Sequence, residues 1–356
     1  MIIRPAELRD DETLLRIEKT AGQGDRVRLL DERDSFFSRA KQFGDYVLMV
    51  GENETTHRIH GVMAAALLKL RIDGETRMGA YMFDLRSNPE TNTGLSRAMY
   101  VLWRAFEERL LEQGAEFIFG LIKDDNSRSE SISQRMGATR RGGKKFLVFP
   151  AFRRRAVTLS VEISSSVDAA QEYRVLEEHY ADYEAWPMAR DFAHMQSLYD
   201  DCLLAKLQCG GSSLKIWDVS HHYTRRVAAM PPGLTAFGTV MRGIGHVIPV
   251  PKVPRPGEEI RVWNVIDVMA ERGTDGRRGH SCKRQAELRA LLATANNMAL
   301  EHKVDHLIVA TDDEEPELAW LRRASILPLS YNIMVKEYRP VPGLAGKTYL
   351  DPRYLG

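Results

Sequence analysis

An internal repeat of predicted elements constrains the fold of this chain more than any other feature. Residues 80–152 read as strand, long helix, strand, Asp-Asp turn, short helix and strand, and residues 258–338 read as the same elements in the same order. Asp124-Asp125 and Asp312-Asp313 occupy the same turn in the two copies. Self-similarity of this kind indicates one supersecondary unit present twice. We therefore predict two copies of a single α/β unit.

The length of the chain agrees with two domains. A chain of 356 residues exceeds what one hydrophobic core usually serves. We place the join within residues 152–173, where a serine-rich stretch follows a basic run, and we predict domains at 1–155 and 156–340. Residues 341–356 are rich in proline and glycine, and we expect a tail that packs across the surface or frays.

The composition argues against several classes of protein. A formal net charge of +1 provides no overall field for nucleic acid or an anionic membrane. Three cysteines without a CxxC pair favour a reducing, cytoplasmic setting over a disulfide framework or a zinc finger. The longest apolar run, at 61–70, is far shorter than the roughly 20 residues of a membrane span. We expect a cytoplasmic protein without a signal peptide.

A candidate anion site follows the predicted strand at residues 79–87. There the chain crosses a polar turn at 91–93 and enters a long predicted helix through Gly94. The N–H groups of a first helical turn are unpaired and carry partial positive charge, so such a terminus binds phosphate. Glycine lets the backbone approach a ligand closely, and Ser96 adds little bulk. The alternative is a strand-to-helix turn closed by an ordinary cap.

Two motifs in this half resemble those of the GNAT superfamily of acyl-CoA-dependent N-acyltransferases. The acyl-CoA loop of that superfamily follows a V-x-P strand end and closes on Gly-x-Gly/Ala, and here Pro89 and "GLSRA" (94–98) match it. The Asn-x-x-Ala…Leu-Gly-Phe helix of the superfamily is similar to "NSRSESISQRMGA" (126–138). The resemblance covers the first 150 residues. It implies an α/β fold of two tandem GNAT-like domains, each a mixed, largely antiparallel twisted sheet flanked by helices.

The resemblance assigns the loop and the helix motif to acetyl-CoA or another short acyl-CoA. The implied binding residues are Leu85, Ser87, Thr91, Asn92, Thr93, Gly94, Leu95, Ser96, Arg97, Asn126 and Ser129. Two positions depart from the family pattern. Thr91 stands where the loop carries Arg or Gln, and Ser133 stands where a Tyr often returns a proton to the CoA thiolate. Serine is a poor acid for that step.

The resemblance also implies direct transfer, with no metal and no covalent intermediate. An amine attacks the thioester carbonyl in a ternary complex, and backbone N–H groups of the splayed strand at 81–87 hold the oxyanion. Asp84 and Tyr81 are the candidate bases on this strand, with Ser133 in the position of the acid. Strand alternation would place Asp84 and Tyr81 on opposite faces, so that at most one reaches the cleft. Alternatively, Asp84 is an edge carboxylate paired with Arg86 or Arg97.

The second copy lacks the loop and helix signatures of the superfamily, and we interpret it as degenerate. Its segment at Trp217 and Asp218 resembles one in tandem members of the superfamily, and we predict that both residues line the acceptor site. The alternative is a buried Trp beside a turn Asp. His221 and His222 are adjacent, and residues adjacent on a strand face opposite ways, so we expect no metal site there.

Three functions remain open at this point. The first is a transferase that moves a short acyl group from acyl-CoA to a small-molecule or peptide amine, as a monomer or homodimer without nucleic acid or membrane partners. The second is an acyl-CoA-binding pseudoenzyme with a sensing or scaffolding role, which the departures at Thr91 and Ser133 favour. The third is a tandem aminoacyl-tRNA-dependent transferase, against which the near-neutral charge argues.

Overall fold

The computed structural model describes residues 1–20, 27–91, 96–188, 191–270, 278–311, 318–325, 327–341 and 347–355, with only the backbone at 278–281, 319 and 327. The helices are α1 (Asp11–Thr20), α2 (Ser38–Gln42), α3 (Arg97–Glu112), α4 (Ser127–Arg135), α5 (Ala169–His179), α6 (Phe192–Cys202), α7 (Pro232–Gly245), α8 (Arg278–Glu301) and α9 (Ala319–Ala324), with short 3-10 turns at Leu8–Asp10 and Pro352–Tyr354. Within these ranges, no helix combines the length and the apolar character that crossing a membrane requires.

The strands cover much of the remaining chain. They are β1 (Ile2–Pro5), β2 (Arg28–Arg33), β3 (Tyr46–Glu52), β4 (Ile59–Ile72), β5 (Glu75–Ser87), β6 (Phe117–Lys123), β7 (Thr139–Pro150), β8 (Glu162–Ser164), β9 (Ala185–Pro187), β10 (Leu203–Cys209), β11 (Ser212–Trp217), β12 (Tyr223–Ala229), β13 (Glu259–Ile260), β14 (Val262–Met269), β15 (His306–Thr311) and β16 (Leu327–Glu337).

Most of these strands form one mixed sheet. Its order is β1-β3-β4-β5-β6-β16-β7-β15-β14-β11-β10-β8, with β9 beside β4. The pairs β5–β6 and β14–β15 are parallel, and the others are antiparallel. The predicted mixed, largely antiparallel sheet is therefore confirmed. A second sheet of order β13-β12-β2 joins a strand of the first half to two of the second.

The two halves exchange their last strands. β7 of the first half pairs with β15 of the second. β16 of the second half pairs with β6 of the first half along the full length of β6. β16 and β7 also pair with each other at the middle of the sheet. The predicted repeat is present, but neither half completes its own sheet. The domain boundaries near 155 and 340 stay a prediction.

Each half places a long helix on one face of the sheet. On α3, the apolar residues Met99, Leu102, Phe106 and Leu110 are buried, and Phe106 is fully enclosed. Gly114 adopts φ +87° just after this helix, a conformation that favours glycine and ends the helix. α8 covers the second half in the same way, through buried residues such as Leu288 and Leu291. The α1 and α2 helices pack on the opposite face of the first half.

Of the two outcomes expected for the C-terminal segment, packing describes residues 347–355 and fraying does not. Leu350, Tyr354 and Leu355 are buried. The Lys144 ammonium donates a hydrogen bond to the carbonyl of Thr348, and the Tyr349 hydroxyl donates one to Asp267. The aromatic and aliphatic side chains of the segment cover apolar surface where β14 and β15 diverge, and this burial outweighs the turn-forming composition.

Because β16 supplies the neighbour of β6, residues 1–155 produced alone should fail to fold cooperatively. The missing strand leaves β6 and β7 with unpaired edges, which promote association. We expect an aggregated fragment without a sharp thermal transition by circular dichroism, and recovery of a soluble complex when residues 156–356 are co-expressed. A monomeric 1–155 fragment with a cooperative transition would contradict the exchange.

Candidate functional site

A bulge in β5 marks the candidate site. Val62 pairs with Arg86 and Ala64 pairs with Phe83, so two residues of β5, Asp84 and Leu85, lie opposite one residue of β4. Asp84 takes φ +48°, a left-handed conformation that is uncommon outside glycine. Pairing of β5 with β6 covers only residues 79–81 of β5. Beyond that point the two strands diverge, and the backbone of β5 faces the gap, as the resemblance implies.

The second half repeats this bulge at the equivalent place. Ser213 pairs with Met269 and Lys215 pairs with Ile266, so Asp267 and its successor lie opposite a single residue. Asp267 has φ +49°. β14 pairs with β15 only over Val262–Val265. Sequence reasoning compared the Asp-Asp turns and missed Asp267 as the counterpart of Asp84, although the Asp between apolar residues in each strand ("FDL" and "IDV") was a usable signal. Asp312-Asp313 lies outside the described residues.

Asp84 is the centre of a buried charge cluster. Its carboxylate lies 2.9 Å from the Arg33 guanidinium, 3.1 Å from that of Arg86 and 3.7 Å from that of Arg39. Burial raises the pKa of Asp84, but the charges of the three arginines outweigh it and hold the pKa well below its usual range. Such a carboxylate is a poor general base. The alternative interpretation, a pairing of Asp84 with Arg86, describes its environment.

Glu18 shares the same arginines. Its carboxylate pairs with Arg33 and lies 3.0 Å from Arg86. Burial is the dominant effect here and raises the pKa of Glu18, and the nearby Asp84 charge adds to it. As the pH falls, Glu18 is therefore protonated first, whereas Asp84 keeps its charge.

Tyr81 lies on the same face of β5 as Asp84, so the expectation of opposite faces is wrong. The bulge adds one residue and reverses the alternation that a regular strand would have. Arg39 lies close to both side chains and contributes to both pKa values. Burial raises the pKa of Tyr81 to about 12, and its hydroxyl donates a hydrogen bond to the Tyr354 carbonyl. Tyr81 therefore stays protonated near neutral pH and is not prepared to act as a base.

The residues assigned to acyl-CoA fall into two groups. Asn92, Thr93, Gly94 and Leu95 lie outside the described residues. The Ser96 hydroxyl caps α3 by accepting the Met99 N–H at 3.3 Å, and the Asn126 side chain caps α4 by accepting the Ser129 N–H at 3.1 Å. The phosphate cradle at the start of α3 stays a prediction.

The other assigned positions differ in their exposure. Leu85, Ser87 and Ser133 are half-buried, whereas Arg97 is exposed. The Thr91 hydroxyl donates to the Asn88 carbonyl at 3.3 Å. Sequence reasoning missed Asn88, whose buried amide donates to the Ile59 carbonyl at 2.7 Å and whose oxygen accepts the Glu90 N–H at 3.0 Å. Asn88 thereby fixes the start of the predicted phosphate turn.

Trp217 is a buried packing residue and Asp218 is a turn residue, as in the alternative interpretation of this segment. Trp217 is 3% exposed, contacts Tyr199 edge-on and lies under the Arg353 guanidinium. The Asp218 carboxylate accepts the Ser220 N–H at 2.9 Å. A role for either residue in acceptor binding has no support from these contacts.

The gap of the second half is filled by the chain itself. Tyr349, Leu350 and Asp351 lie against Val265–Val268 of β14 and Ala310 of β15, at the place that corresponds to the β5–β6 gap. The degenerate interpretation of this half agrees with that packing, because the C-terminal segment lies where a ligand would enter.

Solved structures share this architecture at low sequence identity. Saccharomyces cerevisiae N-myristoyltransferase with bound myristoyl-CoA has a TM-score of 0.64 and 8% identity over 96% of this chain and 80% of that chain. A GCN5-related N-acetyltransferase from Kribbella flavida has a TM-score of 0.54 and 11% identity over 94% of this chain and 70% of that chain.

The chain has a GNAT-like fold. Its tandem arrangement fits the topology of the myristoyltransferase. No protein-family model and no curated protein sequence matches the chain.

Replacement of Asp84 by Ala should lower the free energy of unfolding by about 3–5 kcal/mol, because it removes one of the two buried carboxylates that balance the charges of Arg33 and Arg86. Asp34→Ala, an exposed change on the nearby segment, should stay within about 0.5 kcal/mol of the wild type. Urea unfolding measures both. Equal small effects of the two changes would contradict the cluster.

Proposed function

We propose that the protein is an acyl-CoA-dependent N-acyltransferase that binds its acyl-CoA in the gap between β5 and β6. The bulge at Asp84 carries the proposal, because it turns the backbone of β5 toward a gap where that strand has left β6. Backbone N–H groups aimed at such a position can stabilise a thioester oxyanion. The fold shared with a myristoyltransferase that binds myristoyl-CoA and with an N-acetyltransferase supports the same assignment.

We further propose a short acyl group. On the face of the sheet that carries α1 and α2, the aromatic rings of Phe43, Tyr81, Phe83 and Tyr354 pack together, with the centroids of contacting rings 4.9–6.0 Å apart. Rings packed this closely exclude a long alkyl chain from that face. Acetyl-CoA fits this packing better than the myristoyl-CoA of the yeast protein. The amine acceptor is a small molecule or peptide, and the cytoplasmic location and the monomeric or homodimeric state remain proposals.

Asp125 is our candidate for the base, in place of Asp84 and Tyr81. It lies between β6 and α4, and its Oδ1 is buried without a hydrogen-bond partner in the described part of the chain, whereas Oδ2 accepts from Lys123 at 2.8 Å. Burial raises the pKa of Tyr331 to about 12, and the nearby Tyr81 and Asp125 add to it. Asp125 and Tyr81 therefore both lie near Tyr331.

Calorimetry with acetyl-CoA and myristoyl-CoA tests the site. We expect acetyl-CoA to bind the wild type and not Gly94→Trp, whose side chain would block the start of α3. Gly276→Trp, in the corresponding loop of the second half, should leave binding unchanged because that gap holds the C-terminal segment. Tighter binding of myristoyl-CoA than of acetyl-CoA would contradict the short acyl group. Loss of binding in Gly276→Trp alone would move the site to the second half.

Asp125→Asn should lower kcat for CoA release with an amine panel by about 10²–10⁴-fold while acetyl-CoA still binds. Asp124→Asn is the matched control, because Asp124 is its exposed neighbour in the same turn. Equal activity of the two variants would remove Asp125 from the mechanism. Binding without turnover in the wild type would favour the pseudoenzyme, to which the unreactive Asp84 and Tyr81 also point.

A further inference from the structure

Four potential metal ligands meet in the second half, away from the acyl-CoA gap. They are Asp201 and Cys202 at the end of α6, and His221 and His222 in the turn before β12. One ligand atom from each residue lies within 4.8 Å of the corresponding atoms of the other three. The four residues come from two segments about twenty positions apart, so the chain fold brings them together rather than local sequence.

The expectation that the two histidines diverge is wrong because they lie in a turn. The His222 N–H donates to the Val219 carbonyl at 2.9 Å, and the Asp218 carboxylate accepts the Ser220 N–H at 2.9 Å. The alternation of an extended strand does not apply to such a backbone. The two imidazole rings lie with centroids 4.1 Å apart, and both Nε2 atoms point at one carboxylate.

Three donors converge on the Asp201 carboxylate. His221 Nε2 lies 3.1 Å from Oδ1, His222 Nε2 lies 2.5 Å from Oδ2, and Cys202 Sγ lies 3.5 Å from the same Oδ2. Cys202 is buried, His222 is 25% exposed and His221 is 44% exposed, so the cluster has a closed side and an open side. The open side gives an ion a route of entry.

We propose that Asp201, Cys202, His221 and His222 form a zinc site. One thiolate, two imidazoles and one carboxylate are ligands that Zn²⁺ takes in proteins, and four protein ligands are typical of a structural rather than a catalytic site. Ligand bonds of about 2.0–2.3 Å put neighbouring donor atoms about 3.3–3.8 Å apart in a tetrahedron. Side-chain shifts of about an ångström would convert the hydrogen-bonded cluster into this arrangement. Binding replaces the thiol proton of Cys202, which passes to solvent, and each imidazole then carries its single proton on Nδ1 so that Nε2 is free to bind the ion.

The position of the site gives the ion a structural role. The turn at 218–222 leads directly into β12, which pairs along its length with β2 of the first half. In that pair, the Arg225 guanidinium donates two hydrogen bonds to Asp31, at 2.8 and 3.0 Å. An ion bound by Asp201 and His222 would tie the end of α6 to the start of this strand. The second sheet would thereby be fixed to the body of the second half.

Metal content and cobalt spectroscopy of the full chain test the site independently of any acyltransferase activity. We expect one zinc per chain after expression in zinc-supplemented medium, and a thiolate-to-cobalt charge-transfer band when the stripped protein takes up Co²⁺. His222→Ala and Cys202→Ser should each weaken Zn²⁺ binding at least tenfold. His246→Ala, at an exposed histidine, and Cys209→Ser, at the buried cysteine of β10, are the matched controls and should bind as the wild type does.

Two results would overturn the zinc site. One is uptake by the stripped wild type that does not exceed that of His222→Ala. The other is a cobalt complex without the charge-transfer band, which would exclude Cys202 as a ligand. If Cys202→Ser fails to fold, the wild-type spectrum and the exposed variant His221→Ala still decide between these outcomes.

Discussion

The reciprocal exchange of last strands is the constraint on which the rest of the structure depends. β16 enters the first half beside β6, and β7 lies beside β15 of the second half, so the hydrogen bonds of each half are completed by the other. This arrangement fixes the two parallel pairs, β5–β6 and β14–β15, on either side of a shared centre. Each pair diverges at its bulge, and the exchanged strands β16 and β7 lie between the two gaps, at the centre of the sheet.

The two bulges have the same backbone architecture and different surroundings. Each places a carboxylate in a left-handed conformation, and each surrounds it with cations: Arg33 and Arg86 at Asp84, and Lys215 at Asp267. Buried carboxylates of this kind require such partners, because an uncompensated buried charge costs several kcal/mol. In the second half, the Tyr349 hydroxyl also binds the carboxylate and brings the C-terminal segment into the gap. The halves thus differ in what fills the gap rather than in how it is built.

Sequence reasoning was most successful where a pattern repeats over many residues. The long helix predicted after residues 91–93 is one regular segment, and the repeat of elements is a property of whole segments. Sequence reasoning failed where a single residue interrupts the regular alternation of side-chain directions. The bulge at Asp84 reverses the alternation of side-chain directions that would have separated Asp84 from Tyr81. At His221 and His222 the chain turns, so the alternation of an extended strand does not apply. The buried C-terminal segment was also out of reach, because its partners on β14 are distant in sequence.

The exchange also affects the order in which the protein can be made. β6 waits for a strand that the ribosome delivers about two hundred residues later, and the carbonyl that accepts the hydrogen bond of Tyr81 belongs to Tyr354, 273 residues further along the chain. The emerging first half therefore presents unpaired strand edges throughout synthesis of the second. The first half can complete its packing only after β16 has been synthesised, and until then its unpaired edges are open to association.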